Sequence, residues 1–145
     1  MSSVSTILQN KPRGVMSVTP STSVLEALQI MASKNIGSVV VMEEGVYLGI
    51  LTERDYSRKV ILQDKHSSET KVGEIMSTNL PRVKPSDTHE HCMALMVERN
   101  VRYLPVFEGE ALVGIISLID VIQATVEKQK ATIGELQNFI SSNFA

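Results

Sequence analysis

Apolar and polar positions along this chain follow two spacings, one helical and one of strands, and the two return in a fixed order. Val24, Ala27, Leu28 and Met31 fall at i, i+3, i+4 and i+7, the stripe of an amphipathic helix, and Ser23 with Glu26 has the spacing of a capping box at its start. The helix should stop near Asn35, because asparagine tolerates the left-handed conformation at a helix C-terminus. Ser38 to Met42 and Tyr47 to Leu51 are aliphatic and β-branched runs around Glu43-Glu44-Gly45, which predicts a hairpin, and a second helix is predicted from Glu53 to about Gln63. The order then returns. A helix is predicted from His89 to Arg99, strands at Tyr103 to Phe107 and Leu112 to Ile116 around Glu108-Gly109-Glu110, and a helix from Leu118. Val4, Ile7 and Leu8 predict a short N-terminal helical turn ended by Lys11-Pro12-Arg13-Gly14. At the other end Thr132 and Glu135 repeat the capping-box spacing beside the apolar stripe Ile133, Leu136, Phe139 and Ile140. This predicts a separate tail helix that packs on the rest of the chain or on a second copy of it.

The recurrence is a sequence repeat. A shift of 65 residues, Pro20 onto Pro85, lays Val18-Thr-Pro-Ser21 on Val83-Lys-Pro-Ser86 and holds without a gap for about forty residues. Met31 meets Met96, Asn35 meets Asn100, Gly49-Ile50 meets Gly114-Ile115, and Asp55 meets Asp120. Upstream, Val15-Met16-Ser17 resembles Ile75-Met76-Ser77 at a shift of 60, so the second copy carries extra residues within Thr78 to Arg82. Two copies are too few for a solenoid and read better as two half-sized units packed as a pair. The expected divisions are an N-terminal flank (1–14), a first unit (15–66), a second unit (67–130) and a C-terminal helical tail (131–145), with the polar stretch Gln63 to Lys71 as linker. Each unit is a short strand, a helix, a hairpin and a helix, an α+β organisation.

Composition narrows what such a pair does. The 14 Lys and Arg against 16 Asp and Glu leave a formal charge of −2, so no global positive field holds nucleic acid or an anionic membrane, and any anion must meet a local cluster. Apolar runs such as Val39 to Met42 fall far short of the roughly 18 residues that cross a bilayer. Met1-Ser2-Ser3-Val4-Ser5 lacks the pattern of a secretory signal, so a soluble, cytoplasmic protein is expected. The single cysteine, Cys92, excludes an internal disulfide and a Cys-rich zinc site; aligned with Ala27, it is expected to be a buried core residue. With no Trp and 4% aromatic residues, the core must be aliphatic, and stacking platforms for single-stranded nucleic acid are largely absent. His89 and His91 diverge by about 200° on a helix and do not readily share a metal. No nucleophile, base or metal set recurs, so catalysis is not expected.

Candidate chemistry concentrates in one seven-residue stretch per copy: Gly49-Ile50-Leu51-Thr52-Glu53-Arg54-Asp55 and Gly114-Ile115-Ile116-Ser117-Leu118-Ile119-Asp120. In both, the hydroxyl residue sits where a strand hands over to a helix, whose unpaired N-terminal amides and dipole favour a phosphate. Thr52 or Ser117 adds a hydroxyl donor, and Asp55 or Asp120 one turn later suits the paired hydroxyls of a ribose. The same spacing is also that of an N-capping box, shared by Ser23 and Glu26, to which no ligand is assigned; taken singly, the cap is the better reading. Repetition favours a ligand: a glycine stands three residues before each hydroxyl, and proline and serine enter each unit identically.

On these residues the chain resembles a tandem cystathionine-β-synthase (CBS) domain pair, or Bateman module, of the small stand-alone bacterial type, over roughly Val15 to Lys128. The resemblance implies two βαββα units about a pseudo-twofold axis, two ligand clefts between them, and a homodimer. It implies hydroxyl on phosphate and aspartate on ribose, here Thr52 with Asp55 and Ser117 with Asp120, and a ligand among AMP, ADP, ATP, NAD(H) and S-adenosylmethionine. The first copy adds Arg54, Arg58 and Lys59, where the second has Ile119 and Gln123 in place of the two arginines. The second copy brings Arg102-Tyr103 where the first has Gly37-Ser38, and Arg102 is expected to join the first-copy phosphate cluster. For the base, the resemblance points to the entry strands (Val18, Thr19; Val83, Lys84) and the middle strands (Gly37, Ser38, Val39; Tyr103, Leu104, Pro105), through backbone groups, with the Val39 and Leu104 side chains in the core. The expected function is a non-catalytic regulatory module that binds AMP or NAD(H) in one or both clefts and signals in trans to a downstream protein. The alternative is an interaction scaffold whose clefts are degenerate.

Overall fold

The computed structural model describes residues 3–11 and 14–144, the side chains of Asn143 and Phe144 excepted; Pro12 and Arg13 of the expected N-terminal turn lie outside the described residues. The chain divides into a first unit, Arg13–Leu80, and a second unit, Met1–Pro12 with Pro81–Ala145.

Local sequence decides most elements of the first unit. The Ser23 hydroxyl accepts from the Glu26 amide at 3.1 Å and starts α2 (Val24–Lys34), which Asn35 ends at φ 54°. Strand β1 (Ser17–Val18) pairs parallel to β2 (Ser38–Glu43), and β2 pairs antiparallel to β3 (Val46–Thr52) around Glu44 and Gly45, both at positive φ. Helix α3 (Glu53–Lys59) is shorter than its periodicity predicts and gives way to a 3-10 turn at Ile61–Gln63. The polar stretch after it, expected to be the linker between the copies, also supplies acceptors to the start of α2. Val24 N donates to Thr70 O at 2.8 Å and Leu25 N to Ser67 O at 3.0 Å, while Thr70 is buried with its hydroxyl on His66 O. The first amides of a helix have no internal acceptor, and that demand holds a segment with no apolar anchor in place. Helix α4 (Val72–Ile75) closes the unit.

In the second unit, Thr88 caps α5 (His89–Arg99) by accepting from His91 N at 3.1 Å, and Asn100 ends it at φ 52°. Strands β4 (Tyr103–Glu108) and β5 (Ala111–Ser117) form the second hairpin. The entry strand shrinks to Val83, a parallel bridge to Val106. The tail expected as a separate helix is the continuation of α6 (Leu118–Phe144). Thr132 is no cap; its hydroxyl donates to Lys128 O at 3.0 Å, a mid-helix bond. Glu127-Lys128-Gln129-Lys130-Ala131 is a run of strong helix formers with no glycine or proline, so nothing stops the helix there.

The two cores repeat residue by residue. Val18, Ala27, Met31, Val39, Val41 and Leu51 in the first correspond to Val83, Cys92, Met96, Leu104, Val106 and Ile116 in the second. Each core is completed by a helix that precedes the other repeat in the sequence: Val72 and Ile75 of α4 join the first core, and Val4 and Ile7 of helix α1 (Val4–Gln9) the second. By their contacts residues 67–80 pack with the first unit and the N-terminal flank with the second. Burying an aliphatic side chain is worth about 1.5–3 kcal/mol, so an i, i+3 apolar pair on a short helix settles on whichever core is left open. His89 fastens this arrangement: it is buried, and its Nε2 donates to Ser3 O at 3.1 Å, beside Val4 N on Asp87 O and Ser5 N on Pro85 O, both at 2.9 Å.

Cys92 lies fully buried in the second core. Burial, helped by the Asp87 carboxylate, raises its thiol from 9.0 to about 11. The folded state thus disfavours the thiolate, so this contribution to stability is complete below pH 9 and is lost as the pH rises toward 11. The expected loss, about 2 kcal/mol by about pH 11, should be absent in Cys92→Ala; urea unfolding across that range checks it, and equal pH slopes in both proteins would count against it.

Candidate functional site

At the junction of β3 and α3, Asp55 N donates to Thr52 Oγ1 at 3.1 Å and Thr52 N to Asp55 Oδ2 at 3.0 Å, a complete capping box. Glu53 N donates to Gly37 O at 3.1 Å, which ties the helix start to the head of β2. The other Asp55 oxygen, Oδ1, accepts from Ser77 Oγ and from Lys59 Nζ, each at 2.9 Å, and Lys59 also donates to Ile75 O at 2.9 Å. Asp55 is left 6% exposed. The motif glycine has its own reason. A Cβ at Gly49 would stand 2.5 Å from Ser77 O, and that carbonyl is held by the Ile50 amide at 3.0 Å while Ser77 N donates back to Ile50 O at 2.9 Å.

The junction of β5 and α6 repeats the cap with different surroundings. Asp120 N donates to Ser117 Oγ at 3.0 Å and Ser117 N to Asp120 Oδ2 at 2.8 Å, while Leu118 N donates to Arg102 O at 2.8 Å. The lysine here comes from the N-terminal segment: Lys11 Nζ reaches Asp120 Oδ2 at 2.7 Å and Ile115 O at 2.9 Å. Among the described residues no hydrogen bond falls on Asp120 Oδ1, and the side chain is 19% exposed. A Cβ at Gly114 would meet only the side-chain tip of Leu8, at 2.6 Å.

Each repeat thus assembles its hydroxyl, its aspartate and the carbonyl of the residue just before its first hairpin strand, Gly37 or Arg102, at one helix start. Of the other expected site residues, Ser38 stands opposite Thr52 and Tyr103 opposite Ser117 in their hairpins. Gly37, Ser38, Arg54 and Tyr103 are half-buried, Arg58 and Arg102 are exposed, and Val39, Leu104 and Pro105 are buried. Thr19 is exposed, its hydroxyl sharing hydrogen bonds with Ser21 and Thr22; Lys84 is exposed, its amide on Asp87 Oδ2 at 2.7 Å. Lys59, expected to serve a phosphate, is engaged by Asp55. Lys11 and Ser77 were not anticipated. One signal pointed to Lys11: the second copy has Ala124 where the first has Lys59, so its aspartate lacks a cation one turn on.

A CBS domain family model matches residues 11–61 and again residues 72–127. The chain belongs to the CBS domain family. It is 34% identical over 127 residues to the mitochondrial CBS domain-containing protein CBSX3 of Arabidopsis thaliana, a match that covers 84% of this chain and 62% of that protein, so the chain spans less than two thirds of that relative's length. The solved structure of a protein with CBS domains from Burkholderia ambifaria MC40-6 is 41% identical, with a TM-score of 0.84 over 88% of this chain and 96% of that one. The CBS domain pair of protein MJ0100, solved in complex with 5′-methylthioadenosine and S-adenosyl-L-methionine, is 26% identical, with a TM-score of 0.76 over 88% of this chain and 98% of that one. The tandem CBS pair and the α+β class read from the repeat are those of the chain. Among the described residues no helix is long and apolar enough to cross a membrane, and no three His, Cys, Asp or Glu residues are grouped to hold a metal ion.

Proposed function

We propose that this CBS pair is a regulatory module that binds an adenosine-containing ligand, AMP or NAD(H), and that Asp120 receives the ribose. The observation that carries this reading is the asymmetry of the two aspartates. Asp55 is closed by three partners, whereas Asp120 keeps Oδ1 clear beside the Ser117 hydroxyl. A ribose offers two adjacent hydroxyl donors, and a carboxylate oxygen with open lone pairs is their natural acceptor. The phosphate is assigned to the start of α6, where a 27-residue helix presents its dipole and where Ser117 adds its hydroxyl. In the first repeat, Thr52, Arg54 and Arg58 are assigned to phosphate, with Asp55 holding the junction together; Arg102 is assigned to phosphate as well. Backbone groups of Gly37, Ser38, Val39, Tyr103, Leu104 and Pro105, with Thr19 and Lys84, are assigned to the base. The ligands of the MJ0100 pair support an adenosine moiety in this fold. The module acts without catalysis, as a homodimer in the cytoplasm, by binding its ligand more tightly in one packing than in another and presenting the change to a downstream protein.

A thermal-shift series with AMP, ATP, NAD, NADH and S-adenosylmethionine tests this. A true ligand at about 100 times its dissociation constant stabilises by about 2.7 kcal/mol, which is roughly 5–10 °C in Tm for a chain of this size. The scaffold reading is favoured by one observation, that both aspartates already hold a lysine, Lys59 and Lys11. It requires that none of the five compounds shifts the Tm.

A further inference from the structure

Past Thr125 the described side chains of α6 are exposed, Gly134 alone being half-buried, and they include large aliphatic ones. Their spacing is strict: Ile119, Val126, Ile133 and Ile140 recur every seven residues, and Ile122 and Leu136 stand three residues after the first and third of these. Their exposures are 66%, 40%, 55% and 55% for the first set and 43% and 57% for the second. This seam is not the face α6 turns to its own unit, where Val121 is fully buried and Leu118 and Ala124 pack on the core. A helix that only packs on its own domain follows a 3.6-residue stripe, whereas a seven-residue repeat held over three heptads stays on one side only if two helices supercoil. At 1.5 Å per residue the seam runs about 32 Å, long enough for a continuous two-stranded contact.

We infer that α6 pairs with α6 of a second copy of this chain as a parallel, in-register, two-stranded coiled coil. β-branched residues at the first heptad position with an aliphatic residue at the fourth favour two parallel strands. Gln129 chooses the partner and the direction. It occupies the fourth position of the central heptad, with apolar layers on both sides. In a parallel, in-register pair it meets Gln129 of the second copy, and each amide supplies both a donor and an acceptor. In an antiparallel pair it faces an aliphatic layer and is left unsatisfied. The flanking positions, Gln123, Thr125, Lys130, Thr132, Gln137 and Phe139, carry one charge per helix, so two copies meet with little repulsion.

The test uses the full chain. The wild type should sediment as a dimer or a multiple of one at micromolar concentration, and Ile133→Glu/Leu136→Glu, both on exposed positions, should weaken that association at least about tenfold while the two units still unfold cooperatively, with a Tm that no longer varies with protein concentration. Mild oxidation should cross-link Leu136→Cys between copies, since fourth-position residues of parallel helices approach within disulfide reach, and should leave Glu135→Cys on the outer face uncrosslinked. A wild-type monomer would overturn the inference and leave the seam to a foreign helix. So would a dimer that the double glutamate variant leaves intact, or cross-linking that does not separate Leu136→Cys from Glu135→Cys.

Discussion

Gly49→Ala should destabilise the protein by about 3 kcal/mol, roughly 10 °C in Tm, while the equivalent Gly114→Ala should lose less than about half of that. The two glycines hold the same place in the repeat and differ in what stands opposite. At Gly49 the new methyl would lie 2.5 Å from the Ser77 carbonyl, and moving that carbonyl breaks the reciprocal backbone pair between Ser77 and Ile50. At Gly114 the nearest atom is Leu8 Cδ2, at 2.6 Å, which a change of side-chain rotamer relieves. Chemical unfolding of the two variants side by side decides the matter. Equal losses would mean that the glycine serves something other than the close approach of residue 77 in the first unit.

Asp55→Ala and Asp120→Ala should separate stability from ligand binding. Removing the Asp55 carboxylate orphans the Thr52 amide and the Ser77 hydroxyl in a place where Asp55 itself is 6% exposed, and each unsatisfied group costs about 1–3 kcal/mol, so a total near 3 kcal/mol is expected. Lys59 adds little to that loss, being 45% exposed and able to return to water. Asp120→Ala orphans only the Ser117 amide inside the protein, and Lys11, 34% exposed, is likewise free to rehydrate, so about 1 kcal/mol is expected. Ligand affinity should move the other way: lost in Asp120→Ala by about tenfold or more, as for a charge-assisted hydrogen bond pair, and little changed in Asp55→Ala once its stability is corrected for. Calorimetric titration with whichever nucleotide shifts the Tm reads both. Undiminished binding in Asp120→Ala would remove the ribose assignment.

What could be read along the chain is what is decided within about ten residues. Ser23 and Asn35 bound α2 as their chemistry requires, His89 and Arg99 bound α5, and Leu118 begins α6. The capping boxes at Thr52 and Ser117 were legible for the same reason, since a side chain three residues away is always near enough to reach the helix start. The tail was misread because Thr-x-x-Glu spacing carries no information about whether a helix is beginning or continuing, and the run from Glu127 to Ala131 decides that instead.

The repeat, the pair of α+β units and the two stretches that carry candidate chemistry are legible along the chain, because all of these are patterns of residue type at fixed spacing, and the family resemblance rests on those stretches. Their inequality in charge is visible along the chain, but which aspartate is closed and which keeps an oxygen clear is settled only in three dimensions. Ser77 closes on Asp55 from 22 residues away, and Lys11 reaches Asp120 across 109. Those partners arrive on segments whose placement depends on which core an apolar pair covers, Val72 with Ile75 or Val4 with Ile7, and no local spacing encodes that choice. The free energy of covering an open core is non-directional and long-range in sequence, so which lysine meets which carboxylate follows from packing and not from spacing along the chain.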